Sequence, residues 1–226
     1  LKSKVPKPAA GKESDETVIP EKKSAVVSEK VKALYVGLDC EMVGIGPNGT
    51  QSALARCCMV DFDGNVIYDE FVRPLDVVTD FRTKYSGVRK KDLRQGTAIS
   101  LLECQTAVAN ILKDKVLVGH ALKNDLDVLM LSHPRTMIRD TARYRPYMRI
   151  DGKNGKFHPR ALKDLTKEHL NMEIQTGEHD PVIDARCAVM LYRKARDEWE
   201  QQLKDLKLAV KMRAEVSKAT AKEELK

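Results

Sequence analysis

Two acidic residues interrupt an apolar stretch early in the sequence. Asp39 and Glu41 lie in LYVGLDCEMVGIG, residues 34–46, whose apolar composition predicts a buried strand. Residues two apart in a strand share a face, so both carboxylates project to the same side. Like charges this close raise each other's pKa unless a cation neutralises them, and carboxylate oxygens suit Mg²⁺ or Mn²⁺. The spacing indicates a divalent metal site, with a strand end carrying two solvated acids as the alternative.

A third acid lies where a predicted strand is followed by a predicted helix. Asp125, in VLVGHALKNDLDVLM, falls in the first helical turn after Asn124, which is a suitable cap. The segment is equally compatible with Asp125 and Asp127 as ordinary surface acids. Asp125 therefore supports a metal site only if the fold brings it to the other acids.

A histidine and a fourth acid flank the start of the last predicted helix. In GEHDPVIDARCAVMLY, Asp180 is the expected amino-terminal cap and Pro181 the first helical residue. His179 precedes this helix and Asp184 lies one turn into it, so both can approach one point. Asp184 has apolar neighbours on a helix that must pack, and a buried carboxylate requires a partner. The alternative for His179 is a loop imidazole beside a helix cap.

These residues need a scaffold of strands and helices to position them. Three consecutive strands are predicted in LYVGLDCEMV, ALARCCMVDF and NVIYDEFVRP, with Asp63-Gly64 as a hairpin turn between the last two. The pattern then alternates between a helix in 97–115, a strand in 116–121, a helix in 124–131, a strand in 136–141, a helix in 161–170 and a long helix from Asp180. An antiparallel meander followed by this alternation predicts an α/β fold with helices packed on a mixed sheet.

Composition narrows the function class. The chain has 226 residues, a formal charge of +7 and a pI near 9.1, which favours a polyanionic partner such as nucleic acid. The odd set of five cysteines has no paired CxxC spacing, so we expect reduced core residues.

No long apolar run is present in the sequence, which predicts a soluble, intracellular protein without a membrane partner. Residues 1–32 are expected to form a disordered basic tail or linker, and a first residue other than Met indicates a piece of a longer chain.

Taken together, the motifs match a known family. The set Asp39-x-Glu41, GHALKND ending at Asp125, and His179-x-x-x-x-Asp184 resembles the three motifs of DEDDh 3′→5′ exonucleases. LDCEMVGIGPNG, LARCCMV, VTDFRTKYSGV, VGHALKNDL and HPRTMIRDTARYRP are similar to the RNA exonuclease 4 branch, which is related to the interferon-stimulated 20 kDa exonuclease. The resemblance covers roughly residues 33–200. It implies a ribonuclease H-like domain there, with a five-stranded mixed sheet flanked by helices, and leaves residues 201–226 as a charged helical extension.

The same resemblance implies roles for the five residues. Asp39, Glu41 and Asp184 would hold one Mg²⁺, and Asp39 would bridge to a second ion that Asp125 approaches, with Mn²⁺ able to substitute. Two such ions lie about 4 Å apart in enzymes of this kind. His179 would be the general base, and the product would be a nucleoside 5′-monophosphate released from the 3′ end.

Candidate substrate-binding residues lie in two places. Residues 135–163 carry nine Lys and Arg against two acids, with aromatic residues interleaved, which suits a single nucleic acid strand. Tyr144 and Arg145 are the candidates there, and a solvated basic loop is the alternative. The resemblance places Met42 against the terminal nucleotide, and Arg82 is a candidate for contact with the ribose. Asp140 matches no metal-binding motif and is left outside the metal site.

The resemblance implies single-stranded RNA as the partner, including precursor ribosomal RNA and pre-ribosomal particles in the nucleus and nucleolus, with DNA as an alternative substrate. The rival hypotheses are an RNA-bound assembly factor acting as a scaffold and a DNA-directed 3′→5′ exonuclease.

The last predicted helix carries an apolar seam. It consists of Trp199, Leu203, Leu206 and Val210, and an apolar seam of this kind must pack against another surface. We expect it to pack on its own domain, and docking on a partner is the alternative.

Overall fold

The computed structural model describes residues 27–223. Its strands are β1 Tyr35–Ile45, β2 Gln51–Val60, β3 Val66–Arg73, β4 Val78–Asp80, β5 Ile99–Ser100, β6 Val116–Gly119, β7 Ile138–Asp140, β8 Arg149–Ile150 and β9 Phe157–His158. Its α-helices are α1 Glu29–Lys32, α2 Thr83–Ser86, α3 Leu101–Leu112, α4 Lys123–Leu129, α5 Leu162–Leu170 and α6 Pro181–Glu223. The elements expected from the sequence are all present.

The main sheet is mixed and has the order β5-β3-β2-β1-β6-β7, with β4 also paired to β1. The β1, β2 and β3 strands form an antiparallel meander, whereas β6 is parallel to β1 and β7 is parallel to β6. The five predicted strands are therefore confirmed. The two additional strands, β4 and β5, have only three and two residues. Segments this short carry no periodicity, so the sequence pattern does not reveal them.

The predicted hairpin turn between β2 and β3 is confirmed. Gly64 has a positive φ of 88°, and Asp61 Oδ1 accepts hydrogen bonds from the Asp63 and Asn65 N–H groups at 2.9 and 2.8 Å. Glycine reaches this left-handed region without a steric cost. The turn fixes the register of the two strands that flank it.

The last helix, α6, is continuous over 43 residues. Trp199 is buried and Leu203 packs against the same core cluster, which confirms that the seam begins on its own domain. Leu206 and Val210 are 62% and 66% exposed, so the expectation that the seam packs on its own domain is wrong for these two residues. A helix of this length spans about 64 Å at a rise of about 1.5 Å per residue.

The boundary of the predicted amino-terminal tail requires a correction. Residues 1–26 of that tail lie outside the described residues, but Glu29–Lys32 form α1. Val27 and Val31 are four residues apart and pack against the core, because this spacing places both on one side of a turn. The last residues of the predicted tail therefore belong to the domain.

The five cysteines are buried and free, as expected for reduced core residues. Across residues 27–223, none of the helices combines the length and apolar character that crossing a membrane requires.

Candidate active site

The first two acids lie on the face of β1 that α6 covers. A Cβ at Gly37 would be 2.5 Å from Val189 Cγ2, so glycine is what allows α6 to approach the strand. Asp39 and Glu41 follow on the same face, as the strand period requires. Glu41 is buried and Asp39 is partly exposed, which places the pair at the margin of the core.

The third acid reaches β1 from α4. Asp125 is 4% exposed, and its Oδ1 accepts a hydrogen bond from the Cys40 backbone N–H at 3.0 Å. The expected cap at Asn124 is wrong, because α4 already begins at Lys123. Asp140 Oδ1 instead orders the preceding turn by accepting the Ala121 N–H at 2.8 Å. Asp140 thus shapes the segment that carries Asp125.

The fourth acid and the histidine come from the start of α6. Asp180 Oδ1 accepts the Val182 N–H at 3.1 Å, which confirms the predicted cap. The His179 N–H donates to the Tyr85 carbonyl oxygen at 2.6 Å and so fixes the residue before the helix. His179 Nδ1 lies 3.8 Å from Asp184 Oδ2. The two side chains therefore approach one point, as predicted.

The site has the chemistry of a divalent cation site. Glu41, His179 and Asp184 each offer a ligand atom, and these atoms lie within 4.8 Å of one another. Asp39 is close enough to Asp125 and Asp184 for their charges to raise its pKa. Several carboxylates held together away from water are stabilised by a cation or by protons, and hard oxygen ligands suit a divalent cation. The donor set fits the metal that the sequence predicts.

Burial and mutual repulsion raise the pKa values of these acids. Burial, followed by the nearby Asp184 charge, raises the pKa of Glu41 from 4.5 to about 8. Burial also raises the pKa of Asp125 to about 7 and that of Asp39 well above its ordinary range. In the absence of a cation, the folded protein therefore binds protons that the unfolded chain releases.

This proton binding predicts how the metal-free stability depends on pH. A raised acid pKa in the folded state stabilises the protein at low pH, and the benefit is lost as pH rises through the folded value. With the Glu41 pKa moving from 4.5 to about 8, we expect the free energy of unfolding in EDTA to fall between those pH values. The total change is on the order of a few kcal/mol.

Denaturant unfolding in EDTA at pH 5, 6, 7 and 8 measures this slope. Glu41→Gln should flatten it, and Mg²⁺ should restore stability at pH 8 because the ion replaces the proton. A free energy that rises with pH in EDTA would contradict the electrostatic description of the site.

Two of the predicted substrate residues have different roles in the fold. Tyr144 is 5% exposed, and its ring stacks on Trp199 at a centroid distance of 4.0 Å. The prediction that Tyr144 offers its ring to a base is wrong, because α6 already covers it. The Arg145 guanidinium lies over the Phe157 ring at 4.9 Å, and Arg145 remains exposed.

The other two substrate candidates remain predictions. Met42 directly follows Glu41 at a bulge in β1 and is half-buried. The Arg82 guanidinium donates to Ser52 Oγ at 2.9 Å and to the Gly49 carbonyl oxygen at 2.8 Å. Arg82 therefore braces the connection between β1 and β2, and its contact with a ribose is untested.

The structure adds two residues that the sequence analysis missed. Gln175 Nε2 donates to Asp184 Oδ2 at 2.7 Å from a loop that has no periodicity to read. Arg56 is paired with Glu41 in the register of β1 and β2, and its charge lowers the pKa of Glu41 against the larger effect of burial. A correct hairpin register was the signal that could have identified Arg56.

Comparison with known proteins gives a consistent picture. The exonuclease family RNase T matches residues 36–192. RNA exonuclease 4 of Candida glabrata is 46% identical over 168 residues, which are 74% of this chain and 62% of that protein. RNA exonuclease 4 of Saccharomyces cerevisiae is 44% identical over 188 residues, or 83% and 62% of the two chains. The chain thus spans about three fifths of these relatives' length.

Solved structures show the same fold. The Saccharomyces cerevisiae apo Pan2 pseudoubiquitin hydrolase–RNA exonuclease module in complex with AAUUAA RNA has a TM-score of 0.61 and 27% identity, covering 74% of this chain and 29% of that one. The Neurospora crassa Pan2 catalytic unit has a TM-score of 0.62 at 22% identity, covering 85% and 31%. The ribonuclease H-like fold is confirmed by these likenesses and by the sheet order. The chain belongs to the RNase T exonuclease family.

Proposed function

We propose that the chain is a metal-dependent 3′→5′ exoribonuclease. The observation that carries this proposal is the approach of Asp39, Glu41, Asp125 and Asp184 to one another, with His179 beside them, in a member of an exonuclease family. Relatives named RNA exonuclease 4, together with Pan2 modules solved with RNA, favour RNA over DNA as the substrate.

The acids would act as metal ligands. Asp39, Glu41 and Asp184 would hold one Mg²⁺, and Asp125 would contribute to a second beside Asp39. Bound divalent ions supply positive charge that stabilises the attacking and leaving oxygens of an in-line displacement. The protein orients its ligands in advance, because Gln175 hydrogen-bonds Asp184 and the Cys40 N–H hydrogen-bonds Asp125.

His179 would accept the proton of the attacking water. Its backbone is anchored by Tyr85, and Asp184 lies beside its ring. Water attack on the terminal phosphodiester breaks the bond between phosphorus and the 3′ oxygen of the preceding nucleotide. The released product is a nucleoside 5′-monophosphate, and the shortened strand keeps a 3′-hydroxyl.

The biological setting is part of the same proposal. We propose that the substrate is single-stranded RNA, including precursor ribosomal RNA in the nucleolus, as the RNA exonuclease 4 resemblance implies. The formal charge of +7 supports a polyanionic partner.

Matched 5′-labelled RNA and DNA strands test the substrate assignment. With Mg²⁺ we expect a ladder that shortens from the 3′ end at least about tenfold faster on RNA, and intact strands in EDTA. Faster digestion of DNA would favour the DNA-directed enzyme. Strands that bind without being shortened would favour the scaffold.

A further inference from the structure

A two-stranded sheet is separate from the main sheet, and residues 149, 150 and 152–157 of its segment are exposed. In this hairpin, β8 and β9 pair Arg149 with His158 and Ile150 with Phe157. The single acid of the segment, Asp151, is used by the turn itself: its Oδ1 accepts the Lys153 N–H at 2.9 Å. Residues 149–158 carry Arg149, Lys153 and Lys156 against this one acid, so the hairpin has a net positive charge.

The hairpin follows β7, whose last residue, Asp140, contacts the turn that leads to Asp125. The His120 ring is hydrogen-bonded through Nδ1 to Thr141 Oγ1 at 2.9 Å, and Thr141 begins the segment that leads from β7 to the hairpin. His120 directly follows β6, and the same loop leads into the turn of α4 that holds Asp125. Because β1, β6 and β7 are parallel, their carboxyl ends lie at the same end of the sheet. Residues 141–148 lead from this end of β7 to the hairpin.

The side chains on the hairpin have the character of a single-strand binding surface. Phe157 is 38% exposed, and the Arg145 guanidinium stacks over its ring at 4.9 Å. Arg149, Lys153 and Lys156 are exposed around it. Aromatic rings that stack on bases, surrounded by cations that contact phosphates, are how proteins bind single strands without sequence preference.

We propose that the β8–β9 hairpin binds single-stranded RNA upstream of the 3′ nucleotide, with a base stacked on Phe157 and phosphates contacting Lys153 and Lys156. The choice of RNA rests on the proposed function. The hairpin then serves as an outer binding site that retains the shortened strand between cleavage steps.

Fluorescence anisotropy tests this site with a labelled twelve-nucleotide oligouridine. Binding is measured in Mg²⁺ with the Asp184→Asn variant as background, so that the RNA stays intact. Phe157→Leu keeps an apolar side chain in the hairpin but removes the ring, and we expect it to weaken binding about fivefold to a hundredfold. Phe157→Tyr keeps a ring and should restore most of the affinity.

The salt dependence of binding tests the cationic part. Lys153→Gln with Lys156→Gln should reduce the slope of log affinity against log salt by about 1.4, since each phosphate contact with a single strand contributes about 0.7. Lys207→Gln with Lys211→Gln removes two exposed lysines from α6 and is the matched control. We expect this pair to leave the slope of log affinity against log salt unchanged.

The outcomes separate this site from the proposed activity. Undiminished binding by Phe157→Leu, together with an unchanged salt slope in the lysine pair, would overturn the hairpin site even if the unsubstituted protein digests RNA. Hairpin-dependent binding by an unsubstituted protein that digests no RNA would support this site and refute the proposed activity. Polyglutamate that competes more strongly than oligouridine would overturn RNA as the occupant in favour of an acidic protein.

Discussion

Asp184→Asn is expected to lower the rate of RNA digestion by at least about 10³-fold, or roughly 4 kcal/mol at the transition state. Asp184 is buried in the first turn of α6 and shares the candidate cation site with Glu41 and His179. The asparagine amide has the shape of the carboxylate, and its oxygen can still accept the hydrogen bond from Gln175. It lacks the negative charge that would hold a cation. The initial rate on 5′-labelled RNA at saturating Mg²⁺ measures the loss, and Asp39→Asn should match it.

Asp127→Asn is the control for this substitution. Asp127 lies on α4 two residues from Asp125, but it is exposed and paired with Lys123, so its loss should change the rate by less than about twofold. In EDTA, Asp184→Asn should also raise the melting temperature at neutral pH, because one buried carboxylate is removed from a repulsive cluster. More than a tenth of the original rate in Asp184→Asn would refute the metal assignment.

His179→Ala is expected to slow digestion by about 10²- to 10⁴-fold, the usual effect of removing a general base. The acids that would hold the metal remain, so the rise in melting temperature on adding Mg²⁺ should persist. His179→Gln retains a polar side chain of similar reach that cannot accept the proton, and we expect it to be as slow as the alanine variant.

The geometry of the site gives this prediction a clear alternative. His179 offers a ligand atom within 4.8 Å of those of Glu41 and Asp184, so it could itself bind the ion. In that case the Mg²⁺-dependent rise in melting temperature would fall together with the rate. Such a parallel loss would contradict the role of general base.

Much of this site was predictable because its residues lie in strongly patterned elements. The strand period alone places Asp39 and Glu41 on one face, and the cap at Asp180 fixes the start of the helix that carries Asp184. Spacing could not show that these elements meet. That step came from the family resemblance, and the fold confirms it through the close approach of α6 to β1 at Gly37.

The failures have a common physical cause. A tyrosine among arginines has the same local sequence whether it stacks on a base or on a distant tryptophan, so Trp199 could not be foreseen as the partner of Tyr144. Gln175 reaches Asp184 from a loop whose position depends on the whole fold. Contacts between residues far apart in the chain have no local signal, and these contacts decide which polar and aromatic side chains remain free.

The most direct test of the central claim is the chemistry of the products. RNA is digested with Mg²⁺ in water enriched in ¹⁸O, and the released material is analysed by mass spectrometry, with Asp184→Asn as the inactive control. We predict nucleoside 5′-monophosphates carrying one ¹⁸O in the phosphate, from a strand shortened at its 3′ end. Products with 2′,3′-cyclic or 3′-phosphates, or an equal yield from Asp184→Asn, would contradict metal-dependent 3′→5′ hydrolysis by this acid cluster.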